Sequence, residues 1–205
     1  MNLALTYLMA HIIILPQSVN KKKRKPMIPD NVKPIPKSVS SNQELIQEAL
    51  DLGCTKAKVI LIQTISMAHW VNLHCQFGCS QYGKLLTCPP CTPDTDEMAE
   101  ILTEYDKALL INATPNANVQ EIVVHLENSF KRKGYVKAFA LGAQPCNLCD
   151  PCTISTFCQH PDKARPTLQA CGIDVKTTVD KNGWTDLAQQ KPCSESHTIG
   201  MILLS

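Results

Sequence analysis

The sequence carries almost no surplus charge of either sign: 20 Lys and Arg stand against 18 Asp and Glu, a formal net charge of +2. That is too little to build a field that gathers a polyanion, so nucleic acid is not an expected partner. It also lacks the run of about 20 apolar residues that a membrane-crossing helix needs. The apolar stretch at 3 to 16 is shorter and is interrupted by His11. The basic run KKKRK at 21 to 25 follows that stretch, whereas a secretory signal places its basic residues first. No phosphate-binding glycine loop, dinucleotide fingerprint or catalytic triad is present, which leaves nucleotide-binding enzymes without support.

What the chain does hold is cysteine, 11 residues among 205, in an otherwise ordinary composition of 44% apolar and 19% charged residues. An odd count without an export signal argues against a disulfide framework and for metal or redox chemistry in the reducing cytoplasm. The length suits one domain with a core of its own. Residues 1 to 40 read as an N-terminal extension and Pro-rich linker, with Met27 a candidate true start, and residues 41 to 205 as a cysteine-rich domain. A weak membrane anchor at the N-terminus, its basic flank on the cytoplasmic side, is compatible with this reading.

Local patterns set out the elements. Ser41 and Glu44 form a capping box for a helix over 42 to 52, and AKVILI at 57 to 62 is a buried strand. Asp94 and Glu97 cap a second helix, followed by a strand over 107 to 113. Asn118 and Glu121 open a helix with Ile122, Val123, Leu126 and Phe130 facing inward, which Gly134 stops, and YVKAFALGA at 135 to 143 is a strand. Strand, helix and strand of these lengths predict a crossover with parallel neighbouring strands. Pro161 suits a helix first turn, a short helix is expected over 174 to 182, and HTIGMILLS closes as a last strand. The expected fold class is α/β, or α+β: a small sheet with helices packed on it in a sandwich, carrying cysteine-rich metal-binding loops.

The cysteines fall in two groups. Cys146, Cys149 and Cys152 follow one another at x2 spacings in CNLCDPC, and Cys158 comes next. Such a segment curls around a cubane so that three thiolates reach three irons and backbone N–H groups face the sulfides; Cys158 is the obvious fourth ligand, although five residues instead of three precede it and it could equally serve another site. Zinc is the rival, although structural zinc more often takes two cysteine pairs separated by a longer loop. The other group is Cys75, Cys79, Cys88 and Cys91, with Gly78 and Gly83 allowing tight turns and Pro89 and Pro90 stiffening the return. Cys171 is a spare thiol that could complete either site or be a small buried apolar residue. Cys54 and Cys193 read as core or surface thiols, and His74 and His160 as neighbours of the ligands. Lys84, Lys163 and Arg165 are candidates for an anion contact and equally for ordinary ion pairs.

The motifs Cys75-x3-Cys79-x2-Tyr82-Gly83-Lys84-x3-Cys88-Pro89-Pro90, AFALGAQPCNLCDPC, CQHPDKARP and ACGIDV together resemble a prokaryotic family of cysteine-rich domains of unknown function described as predicted metal-binding proteins. The resemblance covers about residues 42 to 205. It implies that Cys75, Cys79, Cys88, Cys146, Cys149, Cys152, Cys158 and Cys171 belong to the family pattern, that Cys91 departs from it, and that Cys171 could stand in for Cys91. The function expected from all this is a cytoplasmic protein binding one or two iron-sulfur clusters of the 4Fe-4S type, passing electrons alone or to a redox partner protein. The alternatives are an enzyme with an open iron held by Cys75, Cys79 and Cys88, and a structural zinc module for interactions.

Overall fold

The Ser41 box forms as the sequence dictates. Its hydroxyl accepts from the Glu44 amide at 3.3 Å, and Glu44 accepts from the Ser41 amide at 2.8 Å, so two orphan donors of helix α1 (Asn42–Asp51) are satisfied at once. α1 buries Leu45 and Ala49 completely, one turn apart on one face. The computed structural model describes residues 40–187 and 198–205, all within the unit Lys37–Ser205. The apolar run at 3 to 16, the basic run and Cys193 lie outside the described residues.

Four strands, β1 (Cys54–Leu61), β2 (Lys107–Ala113), β3 (Phe139–Leu141) and β4 (Ile199–Leu204), pair in the order β1-β2-β4-β3, each neighbour antiparallel. Ala57 lies opposite Ile111, Leu110 opposite Met201, and Ala140 opposite Ile202. The crossover expectation is corrected here. β2 and β3 do run in the same direction, since both are antiparallel to β4, but β4 is inserted between them. All six residues of β4, IGMILL, are buried, and its interior place pairs both of its edges.

Successive residues of β2 and β4 point to opposite faces, and each face has its own cover. Leu109, Ile111, Ile202 and Leu204 pack with Leu45 of α1 and with Val119, Val123, Leu126 and Phe130 of α4 (Val119–Arg132). On the other face Leu110, Met201 and Leu203 pack with Met98 and Leu102 of α3 (Thr95–Leu102) and Val179 of α5 (Val175–Lys181). This is the expected α/β sandwich. Gly200 makes the close approach of α4 to β4 workable, because a Cβ there would lie 2.7 Å from Val123 Cγ1 and 3.0 Å from Val119 Cγ1.

Three further differences concern the cysteine segments. The strand expected over 135 to 143 shortens to Phe139–Leu141, and residues 161 to 163 form a turn, not a helix. The first cysteine group starts on a helix that the patterning did not announce, α2 (His69–Gly78).

Candidate metal centres

At the end of β3 the chain leaves the sheet for the second cysteine segment and returns beside its point of departure. Gly142 donates to Pro166 O at 2.8 Å, Leu168 donates back to Gly142 O at 3.3 Å, and Gly142 bridges Thr167 in parallel. Residues 143 to 165 are thus an excursion with pinned ends. Its foot is clamped to α4. Arg165 Nε and Nη2 donate to the two carboxylate oxygens of Glu127 at 2.6 and 2.7 Å, and Nη1 donates to Pro161 O at 3.0 Å and Ala164 O at 2.7 Å. Glu127, which has no exposed surface, also accepts from the Ala140 amide of β3 at 2.8 Å and from Lys131 Nζ at 2.5 Å. Burial on its own would raise the Glu127 carboxyl, but hydrogen bonds from Arg165, Lys131 and Ala140 together hold it below its ordinary value.

Within this loop Cys146, Cys149, Cys152 and Cys158 are half-buried thiols that line one pocket, about 320 Å³ of empty space counting the part open to solvent. Leu85, Leu86 and Leu148 make its apolar wall, with Thr87 and His160 also on it. The His160 amide donates to Cys158 Sγ at 3.4 Å, and the Leu148 amide donates to Cys146, so in both cases the N–H two residues on points at the sulfur. Burial pushes the Cys146 thiol up, the Leu148 amide works the other way, and Cys158, Cys149 and Cys152 add to the rise.

The first cysteine group is assembled from a helix and a chain of turns. Cys75 lies on the buried face of α2 with Val71, and Cys79 follows four residues later as the helix ends. Gly83, at φ +68°, turns the chain so that its amide donates to Pro89 O at 2.9 Å, and the Cys88 amide donates to Leu85 O at 3.1 Å. Cys75, Cys79 and Cys88 line a second pocket with Tyr82, Ala143, Pro145, Thr167 and Gln169, about 350 Å³ by the same measure.

The remaining candidates are elsewhere. Cys91 is exposed and lines neither pocket. Cys171 is 1% exposed in the core beside Leu168 and Ile173, where burial, and then the neighbouring Cys88, push its thiol up to about 12. Cys54 is a core thiol raised by burial to about 11. His74 is exposed with its ring edge-on to Trp70, and Lys84 and Lys163 are exposed, while Arg165 is the buried clamp.

An all-thiolate donor set is soft and suits zinc or an iron-sulfur cluster. Among the described residues no three His, Cys, Asp or Glu side chains converge closely enough to hold a single ion as they stand. Cys146, Cys149, Cys152 and Cys158 all line the first pocket. A family model described as "Predicted metal-binding protein (DUF2284)" matches residues 58–204. The chain belongs to this family. Comparison with curated proteins and with solved structures finds no match. The matched span takes in both cysteine groups and Cys171, and it leaves out α1 and Cys54. Among the described residues no helix is long and apolar enough to cross a membrane.

Two participants escaped the sequence reading. Glu127 had a signal: it lies next to Val123 and Phe130 on the inward stripe of α4, and a charge on such a stripe calls for a buried partner. Thr87 had none beyond standing before Cys88.

Proposed function

We propose that this family member is a cytoplasmic metal-thiolate protein that holds a 4Fe-4S-type cluster on Cys146, Cys149, Cys152 and Cys158 and serves in electron transfer with a partner protein. One observation carries the reading: four thiols from a single pinned loop line one pocket, two of them receiving backbone N–H groups. Such donors stabilise negative charge on sulfur and are among the features that set a cluster's potential. Leu85, Leu86 and Leu148 keep water from much of the pocket wall, and the Glu127–Arg165 clamp holds the foot of the loop against α4. A bound cluster would supply reversible one-electron chemistry. A thiol set of this kind suits a reducing compartment.

The test is anaerobic purification of the full chain with iron, acid-labile sulfide and zinc content and a visible spectrum. A brown protein with matched iron and sulfide, bleached by dithionite, is expected, and Cys149→Ser should lose about four irons per chain. A colourless protein with stoichiometric zinc and no sulfide would overturn the reading in favour of a zinc module.

A further inference from the structure

The two pockets share their walls. Thr87 lines the first pocket and Cys88 the second; Cys146 lines the first and Pro145 the second. Consecutive Cα atoms are about 3.8 Å apart, so at both places the partition is a single backbone thick. The second pocket gathers three thiols, Cys75, Cys79 and Cys88, from a helix, its end and a turn. Cys91 lies outside it on the surface, and Cys171 is sealed in the core, so neither lines it. The rest of its lining is mostly apolar, from Pro89, Ala143, Pro145 and Ala170, with Tyr82, Thr167 and Gln169 beside them.

A second and independent observation marks the partition itself. Thr87 is only 8% exposed, and its hydroxyl has no hydrogen-bond partner among the described residues. A buried hydroxyl without a partner is costly, which makes it a pointer to an acceptor supplied by something bound. The pocket it lines is the one ringed by four cysteines.

Resting on the reading of the first pocket given above, the geometry points to a second metal-thiolate centre, back to back with the first and held by only Cys75, Cys79 and Cys88. The second centre takes an iron-sulfur cluster with one coordination position left for a small exogenous donor, such as a thiolate or cyanide. Thr87 is a positioning and tuning residue: from the wall of the first pocket its hydroxyl donates to a sulfur of the first centre.

The experiment uses the full chain, loaded with iron and sulfide without oxygen. Wild type should hold about eight irons, and Cys88→Ser about four. Because Cys88 is buried, Cys79→Ser, at a half-buried position, is the second variant and should behave alike. Cys91→Ser should lose none, and loss there would overturn the three-thiol assignment. In dithionite-reduced wild type, electron paramagnetic resonance should show signals split by the neighbouring spin, collapsing to one simple signal in Cys79→Ser. Added cyanide should alter the wild-type spectrum and leave Cys79→Ser unchanged; an unresponsive wild type would overturn the open position. Thr87→Val should keep all iron while moving the first centre's midpoint potential more negative, since the reduced state loses a donor to sulfur. In the metal-free protein the same change should raise the melting temperature by removing an unpartnered hydroxyl. About four irons in wild type, unaffected by Cys79→Ser, would sink the second centre while leaving the first intact. No acid-labile sulfide at all would sink the reading beneath both.

Discussion

Replacing Glu127 by Gln tests whether the clamp at the foot of the cysteine loop is structural in the way its geometry implies. The carboxylate accepts four hydrogen bonds, two from Arg165, one from the Ala140 amide and one from Lys131. Removing one partner of a buried pair costs about 3–5 kcal/mol, because the other charge is left in a medium that cannot solvate it. Arg165 is 7% exposed, so water gives it little relief, but its Nη1 keeps the carbonyls of Pro161 and Ala164. Lys131 is well exposed and gives up its bond at little cost. The lower end of the range applies, about 3 kcal/mol, which at about 2–4 °C per kcal/mol lowers the melting temperature by about 6–12 °C. Scanning calorimetry at neutral pH on metal-free wild type and Glu127→Gln measures this directly, and a difference within about 2 °C refutes the argument. The pH dependence has a fixed sign. The folded carboxyl is held below its ordinary value of 4.5, so the clamp contributes fully above pH 4.5 and is lost as pH falls through the lower folded value. The gap between wild type and Glu127→Gln should therefore be flat at neutral pH and close in acid. Exchanging both partners, Glu127→Leu with Arg165→Met, should recover at most about 2 kcal/mol of the loss. A deficit of about 1–3 kcal/mol should remain, since the Ala140 amide still lacks its acceptor.

Gly200→Ala should destabilise by about 1–3 kcal/mol in urea titration, because its methyl meets two β-branched residues of α4 that have little rotamer freedom; an unchanged midpoint would mean that α4 can simply move away. Cys171→Ala should leave the iron content at the wild-type value and lower stability by about 1 kcal/mol through the small void left in the core; iron loss would instead make Cys171 a ligand.

The fold was legible where local chemistry decides it. Ser41 with Glu44, Asp94 with Glu97, and Asn118 each form the cap their spacing announces, and KALLINA is a strand over the residues expected. α2 was not legible, for two reasons. Its N-cap residue, Ala68, has no side chain to cap with, and its apolar residues face the wrong way for a periodicity argument: Trp70, Leu73 and Phe77 are exposed, Phe77 at 80%, while Val71 and Cys75 are buried. Strand order was not legible either, because the pairing of β4 between β2 and β3 joins residues about 90 and 60 positions apart, which no local pattern encodes. At the sites, seven of the eight cysteines grouped by spacing line the two pockets, and Cys91 does not. Spacing could not assign Cys91 and Cys171, whose difference is one of exposure. Nor could it show that the two groups are neighbours, since that follows from Thr87, Cys88, Pro145 and Cys146 standing on opposite sides of the same two stretches of chain.

The strand that joins the two halves of the sheet is the last of the four to be synthesised. Chains emerge from the ribosome N-terminus first, at about 5–20 residues per second. Both cysteine groups, within 75 to 158, are therefore outside for seconds before residues 199 to 204 can fill the interior slot between β2 and β3. During that interval the thiols are presented by a chain whose sheet still lacks its middle, open to whatever oxidant or metal donor is at hand. On the function proposed above, the cysteines would have to stay reduced through that interval, before the frame has closed.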